Sequence, residues 1–97
     1  MGMLTYGSPG TDLHFDDRLL AHLQAVITAK LRRDEKFGFT CSAGDGGGYV
    51  SVWVHPAIPL VFRFDGAERP TLNRAWIEAL MQSANSGGGL SAVAEPA

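Results

Sequence analysis

An α+β fold is expected for this chain, an antiparallel sheet with two helices on one face, and three observations lead to it. Two stretches, 17–33 and 71–86, carry apolar residues at the three- and four-residue spacing of an amphipathic helix. Between them lie three short runs, FGFTCSA, YVSVWVH and PLVFRFD, in which alternate residues are apolar, as in strands with one buried face. Turn-forming residues separate these runs: Gly44 to Gly48 first, then Pro56-Ala57-Ile58-Pro59.

Each element can be justified in order. Met3 to Tyr6 and Leu13 to Phe15 are short strands separated by Gly7-Ser8-Pro9-Gly10, so a hairpin is expected over residues 1–16, standing alone or extending an edge of the main sheet, with Leu13 and Phe15 inward. Asp16 then suits a helix N-cap, because its carboxylate can accept orphan N–H groups of the first turn. The first helix, 17–33, has its stripe at Leu19, Leu20, Leu23, Val26, Ile27 and Leu31. Arg18, His22, Gln24, Thr28 and Arg32 are assigned to the other, solvated side. Lys30, Arg32 and Arg33 crowd its last turn, where cations oppose the negative end of the dipole.

A three-stranded meander is expected over 37–65. Phe37, Phe39 and Cys41 share one face, as do Val50, Val52 and Val54, then Leu60, Phe62 and Phe64. Those residues form an apolar floor on which both helices can rest. The second helix, 71–86, takes Thr71 or Asn73 as cap and Trp76, Ile77, Leu80, Met81 and Ala84 as stripe. Gly87 is expected to end it in the left-handed conformation. The tail, 87–97, has a short strand candidate at Leu90 to Val93, and Glu95-Pro96-Ala97 is expected to fray.

The 97 residues suit one domain, 1–97, with a single core. Hydrophobic residues make up 45% and charged residues 19%, values that fit a globular chain rather than a disordered one. A formal charge of −2 lowers the expectation of nucleic acid or an anionic membrane as main partner. The lone Cys41 permits no internal disulfide. No apolar run is long enough to cross a bilayer, and the first residues lack a basic segment followed by an apolar one. A cytoplasmic protein is therefore expected.

Chemistry-bearing candidates are few. Gly44 to Gly48 joins two strands with no following lysine, which favours a flexible hairpin over a phosphate cradle. His14, His22 and His55 lack the spacing of metal ligands, so no metal and no cofactor is expected. Asp16-Asp17 and Asp34-Glu35 flank the first helix, where capping and a polar turn explain them better than paired catalysis. Cys41 reads as an inert core thiol. For Asn73 and Arg74, capping and an Arg74–Glu78 pair one turn apart are the preferred account.

Several runs carry a resemblance. They are Leu4-Thr5-Tyr6-Gly7-Ser8, Leu19-Leu20-Ala21-His22-Leu23-Gln24 with Lys30-Leu31-Arg32-Arg33, and His55-Pro56-Ala57-Ile58-Pro59-Leu60. Asn73-Arg74-Ala75-Trp76-Ile77-Glu78-Ala79-Leu80, Ala84-Asn85 and the closing Glu95-Pro96 complete the set. Together they resemble a family of small actinobacterial proteins of unknown function, each about the length of this chain. Members often carry the label of ATP-dependent DNA ligase, and the resemblance brings no site residues with it. The label does not fit the chemistry. A ligase needs a nucleophilic lysine, conventionally in a Lys-x-Asp-Gly setting, to take the adenylate. Lys30 is followed by Leu31-Arg32-Arg33 and Lys36 by Phe37-Gly38-Phe39. The helix, three strands, helix order also resembles the double-stranded-RNA-binding domain. That domain places a lysine cluster where this chain has Thr71-Leu72-Asn73-Arg74.

The most informative feature is the other side of the sheet, where Tyr49, Trp53 and Val61 would stand among Ser51, Thr40 and Arg63. Self-association of a small binding module, as a homodimer through Tyr49, Trp53, Val61 and Arg63, is the preferred expectation. Burial of that face under the hairpin or the tail is a second reading, and stacking of nucleic-acid bases a third. The alternative function is a nucleic-acid-associated accessory protein using Lys30, Arg32, Arg33, Asn73 and Arg74. An enzyme of unknown reaction ranks last.

Overall fold

The computed structural model describes residues 1–42 and 47–96. Two helices and six strands follow one another as β1 (Gly2–Tyr6), β2 (Thr11–Phe15), α1 (Asp17–Arg32), β3 (Phe37–Ser42), β4 (Tyr49–Val54), β5 (Leu60–Arg63), α2 (Arg74–Ala84) and β6 (Leu90–Ser91). The class is α+β, as expected, and the hairpin, the helices and the three central strands lie where the periodicity places them. The glycine-rich β3–β4 connection falls largely outside the described residues.

The three central strands do not form one meander. Two three-stranded sheets are present, in the orders β2-β1-β5 and β4-β3-β6. Strands β3 and β4 pair antiparallel, but β5 leaves β4 and pairs antiparallel with β1, from Met3↔Arg63 to Tyr6↔Leu60. What places β5 is its pairing with β1, to which the β4–β5 connection delivers it. That connection is too long for a tight two-residue hairpin, and it holds its own turn through Ile58 N to His55 O (3.1 Å) and Ala57 N to His55 Nδ1 (3.0 Å). Gly7 N then donates to Pro59 O (2.9 Å), which sets the register on β1. The likeness to a double-stranded-RNA-binding sheet is lost with the meander.

Strand β6 pairs parallel to β3, Phe39 opposite Leu90 and Thr40 opposite Ser91. Gly89 makes this approach possible. Its φ is 80°, and a Cβ there would lie 2.6 Å from the Gly38 carbonyl oxygen. Gly87, expected to end α2 in the left-handed region, is not among the residues with positive φ. The helix instead stops at Asn85, whose N–H returns to Met81 O (3.0 Å).

At its other end α2 is capped by Asn73, whose Oδ1 accepts from Ala75 N (3.0 Å). Asp16 caps α1 by accepting from Arg18 N (3.2 Å). Helix α1 ends in a Schellman arrangement: Asp34 N donates to Leu31 O (3.0 Å) and Glu35 N to Lys30 O (3.1 Å). The helices run side by side in the same direction. Asn73 at the head of α2 bonds His22 near the head of α1, and Asn85 at the foot bonds Lys30 in the last turn. Helix α1 lies against β1, and α2 against β3 and β6.

The core is continuous across both sheets. Leu20, Leu23, Val26 and Ile27 of α1 are fully enclosed, each such side chain contributing about 1.5–3 kcal/mol. Leu4, Leu13 and Phe15 meet them from the first sheet, and Phe37, Phe39, Cys41, Val54 and Leu90 from the second. Phe15 and Phe39 stack across the join, centroids 5.9 Å apart. Among the described residues, no helix is long and apolar enough to cross a membrane.

Candidate interaction faces

The inward and outward assignments of the strands follow the two-residue period. In the second sheet, Phe37, Phe39 and Cys41 oppose Val54, Val52 and Val50 on the core side. The outer side therefore carries the pairs Gly38↔Trp53, Thr40↔Ser51 and Ser42↔Tyr49. Tyr49 is 74% exposed and Trp53 62%, so neither is packed beneath the hairpin or the tail. Between them the Thr40 and Ser51 hydroxyls share a hydrogen bond of 2.7 Å. Opposite Trp53, Gly38 has no side chain, and a Cβ there would meet nothing within 4 Å. A recess of about 250 Å³ opens beside the indole, bordered by Gly38, Lys36, Ser86 and the glycines that follow.

Val61 and Arg63 do not join this patch. They stand on the outer side of the first sheet, opposite Thr5 and Met3. Val61 is 42% exposed. The four expected contact residues are thus divided between two sheets, because β5 crossed to β1.

The nucleic-acid set is dispersed further. Lys30 is only 5% exposed, with its ammonium 2.6 Å from Asn85 Oδ1, 3.0 Å from Glu35 Oε1 and 5.6 Å from the centre of the Phe37 ring. It is a core cation, unavailable to a phosphate. Asn73 is occupied as the α2 cap and in holding the tail through Glu95 (3.0 Å) and the Pro96 carbonyl (3.2 Å). Arg32, Arg33 and Arg74 are exposed. Because the helices run in the same direction, Arg32 and Arg33 sit at the foot of the pair and Arg74 at its head. The two ends lie about 15 Å apart, from the rise of 1.5 Å per residue. The expected Arg74–Glu78 pair is not formed among the described residues, where the ion pairs are Met1–Asp65, Arg18–Glu95 and Lys30–Glu35.

A polar cluster that the sequence reading did not assemble lies where α1, α2 and the tail meet. His22, assigned to the solvated side, is fully buried, because α2 covers that flank of α1. Its Nδ1 donates to Arg18 O (2.7 Å), while Nε2 accepts from Asn73 N (2.7 Å), which defines the neutral Nδ1–H tautomer. The ring packs on Trp76 at 4.4 Å. Arg18 makes a bidentate pair with Glu95 (2.9 and 2.6 Å) and donates to Thr71 O (2.7 Å). Trp76 Nε1 donates to Val93 O (2.8 Å). The tail is therefore fastened at Val93, Glu95 and Pro96 rather than frayed. The Arg18 guanidinium, helped by Asn73, holds the Glu95 carboxyl at about 2, against an ordinary 4.5. The available signal was the one-turn spacing of Arg18 and His22, which puts them on one flank beside the apolar stripe.

This cluster is satisfied within the chain, and among the described residues no buried side-chain nitrogen or oxygen lacks a partner. Cys41 is buried and unpaired, its thiol pushed up by burial. Among the described residues, no three His, Cys, Asp or Glu side chains gather as metal ligands would. Tyr49 and Trp53 on β4 form an exposed aromatic pair that the internal packing leaves unexplained.

No curated protein and no solved structure matches the chain. A family model does, over residues 1–95, and the chain belongs to that family, the domain of unknown function DUF7882.

Proposed function

We propose that this member of the family is a small non-catalytic interaction module that self-associates through the outer face of its second sheet. The observation that carries the reading is the exposure of Tyr49 and Trp53 on one face of a strand at the edge of its sheet. An indole and a phenol left in water beside an open recess are an unfavourable use of apolar surface unless something covers them. In a two-fold pairing, the same patch serves both copies, and a ring of one can enter the recess beside Gly38 of the other. Val61 and Arg63, on the other sheet, have no part in that contact.

Magnitude decides the expected strength. The exposed parts of four rings, two from each copy, remove roughly 600 Å² from water, against the roughly 1,200–2,000 Å² of a stable interface. A weak, concentration-dependent dimer follows. Light scattering over a concentration series should show mass rising towards twice that of the chain, and Trp53→Ala should hold it at one. A Trp53→Ala protein that still dimerises would remove this face from the proposal. Incubation with labelled ATP should leave no covalent adenylate, since neither lysine has a ligase setting.

A further inference from the structure

We propose that the groove between β5 and α1 receives an extended peptide, which adds a strand to the free edge of the first sheet and carries acidic residues. This goes beyond self-association and uses a different sheet, so either can fail alone.

The backbone supplies the first argument. Gly7 N bonds Pro59 O, so along β5 residues 59, 61 and 63 turn their peptide groups toward β1. By alternation, Leu60, Phe62 and Phe64 turn theirs away from it. On that side no strand pairs with β5, and among the described residues no backbone hydrogen bond is made there. Alternate N–H and C=O groups along 60–64 are a template for strand addition.

Shape and charge supply the rest. The groove has a volume of about 710 Å³, within the range of ligand sites. Phe62 and Phe64 line one side, both half-buried. Ala21, Ala25 and Ala29 line the other, four residues apart and so stacked on one face of α1. Their short side chains leave room that leucine would fill, sized for alternate apolar side chains of a docked strand. At the rim, Arg32 and Arg69 are exposed and form no ion pair among the described residues. Glu68 is the one carboxylate of the lining, and Asp17, at the Gly66 end, is engaged by the Asp65 and Gly66 amides. The two guanidiniums without an ion pair favour acidic residues at the positions of the guest strand that face water.

The test uses two fluorescein-labelled hexapeptides with the full chain. One alternates valine with glutamate, the other valine with lysine. Fluorescence anisotropy should show the glutamate peptide binding at least about tenfold more tightly. Ala25→Trp, which fills the groove, should weaken it about tenfold or more, and Arg69→Glu should abolish the acidic preference without touching the core. In the complex, the amides of Phe62 and Phe64 should exchange with solvent more slowly. Absence of binding, equal binding of the two peptides, or indifference to both substitutions would overturn the proposal. So would slowed exchange at Phe62 in the unliganded chain at high concentration, which would assign the edge to a second copy.

Discussion

Asp34 has φ 59°, a backbone conformation that suits glycine better than aspartate, and its charge lies at the negative end of α1. Asp34→Gly keeps the Schellman bonds and removes both penalties. Urea denaturation should show a gain of about 0.5–1 kcal/mol. Glu95 gives a prediction in pH. Its folded value, about 2, lies below the ordinary 4.5, so between these values the unfolded chain binds the proton more readily. The stability it adds is full above about pH 4.5 and is lost as pH falls through about 2. Glu95→Gln should lower the urea midpoint at neutral pH, and the gap to the parent should close across that window. Lys30 and His22 explain why single residues misled. Both sit beside the apolar stripe of α1, and an isolated helix shows only its own hydrophobic face. What covers His22 is α2, more than forty positions away in the chain, and Lys30 is enclosed by Asn85 at the end of that helix together with Glu35 and the Phe37 ring.

Among the elements, β6 is the shortest, and it depends on Gly89. Gly89→Ala combines a left-handed φ with a contact of 2.6 Å to backbone. It should destabilise by about 2 kcal/mol or more in urea denaturation and free the amides that join β6 to β3. Strand positions and faces were legible in the sequence, since alternation assigned Val52 inward and Trp53 outward without knowledge of any partner. Strand order was not. The segment His55 to Pro59 announces a turn, but whether the next strand returns to β4 or crosses to β1 depends on Tyr6 and Gly7, at the far end of the chain. For that reason alternation alone groups Tyr49 and Trp53 with Val61 and Arg63, although they stand on two sheets.

At the scale of the whole molecule, Tyr6 joins the two sheets. Its hydroxyl donates to Trp53 O and accepts from His55 N (3.2 Å) at the end of β4. Tyr6→Phe leaves the ring and removes both bonds. A loss of about 1 kcal/mol is expected by urea denaturation, with faster exchange at the His55 amide. The same hydroxyl occupies the backbone groups of β4 at that end.

The first turn of α1 gathers both extremities of the described chain. Asp17 binds Asp65 N and Gly66 N (3.2 and 2.8 Å), the Asp65 carboxylate holds the Met1 amino group, and Arg18 holds Glu95. A variant in which a glycine linker joins residues 1 and 96 and the chain opens at Gly48 is expected to keep the fold, which circular dichroism and urea denaturation would check. Loss of the folded signal in that circular permutant would show that the two ends need more than the first turn of α1 to hold them.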